Sequence, residues 1–172
     1  MIKLYNRTRY EDRPIEDLLA YAAKLVRVEG NVAVVVNSGY RSSGIAYKSF
    51  PYINYLRGTR SAQWPNAGLL KSCPIGFVKI TLGRWSRGQE IEAARSFFRV
   101  ALHEMGHIRD FRSGDYDRRT EPRTPTGRRI RHSKRLCEIV ANNYRDEAAD
   151  RAETKRVDDL VLALALEIER KR

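Results

Sequence analysis

The chain has 172 residues, of which 42% are hydrophobic and 31% are charged. Such a chain is long enough to bury its own core, and its composition excludes a disordered or fibrous protein. No apolar run reaches the roughly 18 residues of a membrane helix, and no apolar signal segment lies near the N-terminus, so we expect a cytoplasmic protein with no membrane partner. The formal net charge of +12 favours an acidic substrate or a nucleic-acid partner.

The first third of the sequence predicts a helix followed by two strands. Apolar residues recur at helical spacing from about Pro14 to Val28, and Pro14 suits a first helical turn. The β-branched run at residues 32–36 predicts a buried strand, and residues 37–39 predict a turn. We expect a second strand, residues 44–50, to pair back after this turn.

The middle of the sequence predicts a loop, a strand and a long helix. Residues 51–75 contain the glycines and prolines of a loop, and residues 77–82 alternate as a half-buried strand does. A stripe of apolar residues then predicts a helix over 89–111, with Ser86 and Gln89 at the spacing of a capping box. Gly106 lies inside this helix at a cost of about 1 kcal/mol relative to Ala, which indicates close packing there.

The last third predicts a basic loop and two helices. The loop covers residues 112–132, and the stretch 109–135 has ten basic and four acidic residues, which makes it the candidate surface for nucleic acid. Helices are predicted from about Ser133 to 151 and over 154–168, so that residues 154–172 form a C-terminal helical appendage. Because the strands are grouped, we expect one α+β domain over 1–172 with a small, mostly antiparallel sheet of about three strands.

The motif that carries chemistry is His103-Glu104-Met105-Gly106-His107, an H-E-x-x-H pattern inside the second predicted helix. Residues four apart share one helix face, so both imidazoles can direct a nitrogen at one Zn²⁺ ion. Glu104 lies about 100° around the helix, beside the ion, where it can take a proton from zinc-activated water that attacks a carbonyl. This pattern predicts a zinc-dependent hydrolase, a metalloprotease with one zinc ion per chain.

A catalytic zinc takes three protein ligands and leaves one position for water, so a third ligand is needed. The sequence offers Glu138 on the next predicted helix and His132, the remaining histidine. It also offers carboxylates that follow the motif, at Asp110, Asp115 and Asp117.

An H-E-x-x-H helix followed by a glutamate on the next helix resembles the gluzincin metallopeptidases, and most of all their minimal ImmA/IrrE-type members. The resemblance covers roughly residues 77–149 and implies a small zincin-like fold. It implies that His103, His107 and Glu138 bind zinc and that Glu104 is the base. In that family the residue four positions after the glutamate often hydrogen-bonds the first histidine. Here it is Asn142, whose amide oxygen can do the same.

His132 is compatible with a second family of metalloproteases. In SprT-like metalloproteases a third histidine follows the motif by some twenty-odd residues, and His132 follows His107 by 25. Those proteins act near DNA, which the positive charge suits. A third alternative is a non-enzymatic, basic nucleic-acid-binding protein in which the zinc is structural.

Other residues have possible supporting roles. Asp110 is a candidate for orienting a zinc ligand. In zincins an edge strand lies over the zinc and pairs with an extended substrate, and the strand before the motif is the candidate here. Tyr116, Tyr144, His132 and the loop arginines are candidates to stabilise an oxyanion, and the two cysteines are interpreted as buried thiols. The candidate substrate strand begins with Phe77, Val78, Lys79 and Ile80, and the cysteines are Cys73 and Cys137.

Overall fold

The structure is a computed structural model in which residues 1–47, 76–116 and 134–172 are described. Within these ranges the chain forms an α+β fold of four strands and four helices. In chain order these are β1 (Ile2–Asn6), α1 (Asp12–Val26), β2 (Val32–Gly39), β3 (Ser43–Tyr47), β4 (Phe77–Gly83), α2 (Glu90–Ser113), α3 (Lys134–Asp150) and α4 (Thr154–Arg170).

The sheet is mixed and has the strand order β1-β2-β4-β3. Strands β1 and β2 are parallel, as are β2 and β4, and only the β3–β4 pair is antiparallel. The expectation of a mostly antiparallel sheet of about three strands is therefore wrong. The reason is β1, which the sequence reading missed: α1 returns the chain to the start of β2, and such a crossover makes the two strands parallel.

The strand predicted over residues 44–50 is β3, which pairs with β4 rather than with β2. Residues 48–50 lie outside the described ranges. The turn predicted at residues 37–39 is instead the end of β2, where Asn37 pairs with Thr81 and Gly39 with Gly83. The polar and small residues there mark the end of the buried part of the strand and not the end of strand pairing.

All four helices contribute to one buried cluster on one face of the sheet. The central strands contribute alternate residues, among them Val34 on β2 and Ile80 on β4, and the long helix α2 contributes Phe97 and Met105. Helix α4, expected as an appendage, adds Leu164 and its neighbours to the same cluster. None of the helices in the described part of the chain is long and apolar enough to span a bilayer.

Helices α2 and α3 approach each other closely at Gly106. A Cβ atom on this residue would lie 2.8 Å from the carbonyl oxygen of Ala141 and 3.1 Å from its Cα. Both distances are shorter than ordinary van der Waals contact, so any larger residue would force the helices apart. The close packing inferred from the sequence at Gly106 is thus confirmed, and it fixes how near α3 comes to the motif on α2.

Candidate metal centre

The two histidines of the motif lie one turn apart on α2. Their ring centroids are 4.8 Å apart, and the ring planes are perpendicular. The side chain of His103 is 19% exposed and that of His107 is 10% exposed, so both rings lie at the rim of the core. Helical spacing therefore places the two imidazoles side by side at a partly open position.

Helix α3 brings Glu138 to the same position. Its Oε2 atom is 3.1 Å from Nε2 of His103, and its Oε1 atom is 3.9 Å from Nε2 of His107. One ligand atom from each of the three residues can be chosen so that all lie within 4.8 Å of one another. Ligand atoms bound tetrahedrally to zinc at 2.0–2.1 Å would be about 3.4 Å apart, so the three residues fit a zinc ion with small adjustments.

Asn142 lies one turn after Glu138 and contacts the first histidine. Its Oδ1 atom is 3.1 Å from Nδ1 of His103. An amide oxygen accepts a hydrogen bond, so this contact favours the tautomer with the proton on Nδ1. The lone pair of Nε2 is then directed toward Glu138, as a metal ligand requires.

Glu104 is buried beside these donors. The residue is only 4% exposed, and its Oε2 atom has no hydrogen-bond partner among the described residues. Burial and the nearby charge of Glu138 raise the pKa of Glu104 to about 8, against the opposing effect of a hydrogen bond from the backbone N–H of Ala46. A buried carboxylate oxygen without a partner is costly, and a water molecule or cation next to it would remove that cost.

Strand β3 covers Glu104, and a glycine makes this possible. A Cβ atom on Gly44 would lie 2.5 Å from Cγ of Glu104 and 2.7 Å from Cγ1 of Val100. The sequence reading predicted this strand but did not place it beside the motif. Gly44 is the sequence feature that could have placed β3 there, because a glycine within a strand often marks a close approach of another group.

The environment also favours the neutral form of His107. Burial lowers the pKa of His107, and the neighbouring His103 lowers it further, although the charges of Glu138 and Asp110 act in the opposite direction. A neutral imidazole is the form that binds a metal ion.

We call His103, His107 and Glu138 the donor group, and the other candidate ligands that the structure describes are not part of it. Asp110 is fully buried one turn after His107, where its charge acts on that ring. Among the described residues, the group of candidate metal ligands contains neither Asp110 nor Asp115. The ring of Tyr144 packs under the guanidinium of Arg109 at 4.2 Å.

Three candidates, His132, Asp117 and Cys73, lie outside the described residues, as does most of the basic loop at 112–132. Tyr116 packs edge-on against Phe111 at 4.9 Å. Cys137, expected to be buried, is partly exposed on α3.

The expectation that Phe77–Ile80 forms the substrate strand is wrong. These residues belong to β4, which pairs with β2 on one side and β3 on the other, so its backbone groups are already used. Within the described part of the sheet, the edge strand next to Glu104 is β3. The hydrophobic pattern identified β4 as a strand but could not tell that it lies inside the sheet.

Comparisons with family models, with curated proteins and with solved structures give no match for this chain.

Proposed function

We propose that the protein is a zinc metallopeptidase that hydrolyses peptide bonds in a narrow set of cytoplasmic protein substrates. The observation that carries this proposal is the convergence of His103, His107 and Glu138 beside the buried carboxylate of Glu104. Two imidazoles and one carboxylate are a common ligand set of catalytic zinc, and they leave one position for water. The resemblance of the motif and of Glu138 to minimal gluzincins supports the same function.

Zinc bound by these three residues would lower the pKa of a water molecule toward 7 and polarise the substrate carbonyl. The protein's own contribution is Glu104, which takes the proton of the attacking water on its buried Oε2 atom and passes it to the leaving amine. Asn142 holds His103 in the binding tautomer during this cycle.

The substrate would be held by β3. This strand ends the described part of the sheet and lies directly over Glu104, because Gly44 leaves room for the carboxylate. An extended peptide that adds to the side of β3 that faces away from β4 would gain backbone hydrogen bonds and place its scissile bond near the donor group. This arrangement favours a peptide substrate over a compact small molecule.

The metal content of three purified proteins tests the ligand set. We expect about one zinc per chain in the wild type and in His132→Ala, and none in Glu138→Ala. His132→Ala is the matched control, because His132 is the third ligand of the SprT-like alternative. Loss of zinc in His132→Ala alone would move the assignment to that alternative.

Activity needs a separate test, because zinc can also be structural. We expect the wild type to cleave members of a random peptide pool, and Glu104→Gln to keep its zinc but to cleave none. A wild type that holds no zinc when zinc is supplied, or a Glu104→Gln protein that cleaves as well as the wild type, would refute the proposed function.

A further inference from the structure

Arg7 and Arg9 follow the end of β1, Arg84 follows the end of β4, and Lys79 lies on β4 four residues before its end. We call Arg7, Arg9, Lys79 and Arg84 the edge cluster. The backbone N–H of Arg7 donates to the carbonyl of Val36 at 2.8 Å, and that of Arg84 donates to the carbonyl of Gly39 at 2.7 Å. Two of the four residues are thus fixed to the end of β2 through their backbones. The carboxyl ends of parallel strands are a common place for ligands in sheets of this type.

Two adjoining cavities open at this edge. The first has a volume of about 520 Å³ and is lined by Arg7 and Lys79 together with polar groups of β2 and β4. The second has a volume of about 380 Å³ and is lined by Arg9, Arg84, Tyr10 and Leu82. Ser38 lines both cavities, so the two adjoin at the end of β2, and we call them together the band. No acidic side chain is among the described residues that line either of them.

Three of the four cations of the edge cluster lack an acidic partner in the part of the chain that the structure describes. Arg9, Lys79 and Arg84 have no acidic partner among the described residues, in contrast with other arginines. Arg170, for example, pairs with Glu11, which is near Arg9 in sequence. Other paired arginines are Arg95 with Glu92, Arg145 with Asp146 and Arg151 with Glu147. Neighbouring cations such as Arg9 and Arg84, with no acidic partner among the described residues, are typical of a surface that binds an anion.

Aromatic rings alternate with these cations. The guanidinium of Arg9 lies 5.7 Å from the ring centroid of Tyr10, and that of Arg84 lies 5.8 Å from the ring centroid of Tyr40. Tyr40 is 88% exposed, so its ring is accessible to a base. Basic grooves with exposed aromatic rings are typical of single-stranded nucleic-acid binding, because the cations follow the phosphates and the rings stack on bases.

We propose that the edge cluster binds the phosphodiester backbone of single-stranded nucleic acid, with Tyr40 as a stacking platform for a base. The band spans the ends of three strands, about 10 Å from β1 to β4, so it suits a chain of phosphates better than one small anion. The proposal does not depend on peptidase activity. It also assigns the excess charge to a surface other than the basic loop at 109–135.

Fluorescence anisotropy with a labelled single-stranded oligonucleotide, measured over a range of salt concentrations, tests the proposal. The test variant is Arg9→Gln/Arg84→Gln, and the matched control is Lys155→Gln/Arg156→Gln, which removes the same charge from exposed positions on α4. We expect the test variant to reduce the slope of log K against log salt by about 1.4, for two lost phosphate contacts, and to weaken binding at least tenfold. The control should stay within about twofold of the wild type.

A third variant addresses the aromatic ring. We expect Tyr40→Ala to weaken binding of the single strand about fivefold or more and to leave binding of a duplex of the same length unchanged. Glu104→Gln should bind as the wild type does, which separates this surface from the proposed catalysis. Thermal unfolding of each variant checks that the fold is retained.

Several results would overturn the proposal. Equal losses in the test variant and the charge-matched control would mean that only the net charge attracts the oligonucleotide. Displacement of the oligonucleotide by polyglutamate at matched charge would mean that the edge cluster binds an acidic protein. Displacement by inorganic phosphate at low millimolar concentration would mean that the edge cluster binds one small anion. Absence of binding by the wild type at low salt would also refute it.

Discussion

Replacement of Gly106 by alanine would test whether the approach of α3 to α2 sets the geometry of the donor group. The new Cβ would lie 2.8 Å from the carbonyl oxygen of Ala141, whereas ordinary contact begins at 3.4 Å. Helix α3 must therefore move by about 0.6 Å, because the contact atoms belong to the backbone and cannot rotate away. Glu138 lies on α3 three residues before Ala141 and would move with it.

The expected result is a large loss of zinc affinity with a small change in stability. Zinc sites accept deviations of only about 0.2 Å in ligand distance, so a 0.6 Å displacement should weaken zinc binding by about 10- to 100-fold. In the metal-free protein, alanine gains up to about 1 kcal/mol of helix propensity, and overpacking costs about 1–3 kcal/mol. We therefore expect the free energy of unfolding to fall by no more than about 2 kcal/mol.

Competition with a chromophoric chelator would give the zinc affinity, and urea unfolding in the presence of chelator would give the stability. Arg99→Ala, on an exposed position of α2, is the control for a general effect on this helix. Gly106→Ala/Ala141→Gly should not recover zinc binding, because the clash is with the backbone of residue 141. Wild-type zinc affinity in Gly106→Ala, or recovery in the double variant, would refute the reasoning.

Three further predictions concern the same site. Gly44→Ala should lower peptide cleavage at least tenfold but keep the zinc, because its Cβ would displace the Glu104 side chain or β3; unchanged cleavage with bound zinc would contradict this. Asn142→Ala should weaken zinc binding by about 10- to 100-fold in a chelator competition, because His103 loses the acceptor that fixes its tautomer, and unchanged affinity would argue against that role. In metal-free protein, Glu104 contributes stability that is full below pH 4.5 and is lost as the pH rises through about 8, because its pKa is raised in the folded state. At 1.36 kcal/mol per pKa unit, the free energy of unfolding of the wild type should fall by up to about 5 kcal/mol over this pH range, and that of Glu104→Gln should not. Urea unfolding with chelator at pH 5 and pH 8.5 measures the difference. Parallel pH profiles of the two proteins would contradict the prediction.

The sequence predicted the local features of the site well, because they depend on spacing within helices. The H-E-x-x-H motif lies on α2 as expected, and the helix predicted after the N-cap candidate Ser133, in a stretch without Gly or Pro, placed Glu138 and Asn142 one turn apart. The contact of Asn142 with His103 follows the pattern that the resemblance implied. The role of His132 remains a prediction, since this residue lies outside the described ranges.

The order of the strands could not be predicted in the same way. Strand pairing joins residues distant in sequence, and a hydrophobic pattern gives the face of a strand but not its neighbours. Phe77–Ile80 therefore appeared suitable for substrate, although β3 takes the edge position and β4 lies inside. The short strand β1 was missed because five residues carry little periodic signal.

The position of α4 has a consequence for when the site can form during synthesis. The donor group is complete once Glu138 has been made, but α2 also packs against α4, whose buried residues extend to Ile168. These thirty further residues take about 2–6 s to synthesise at the usual rates of translation. A nascent chain that ends before Ile168 therefore has the whole donor group but lacks part of the support for the helix that carries His103 and His107. The proposed loading with zinc should then follow the emergence of α4 from the ribosome.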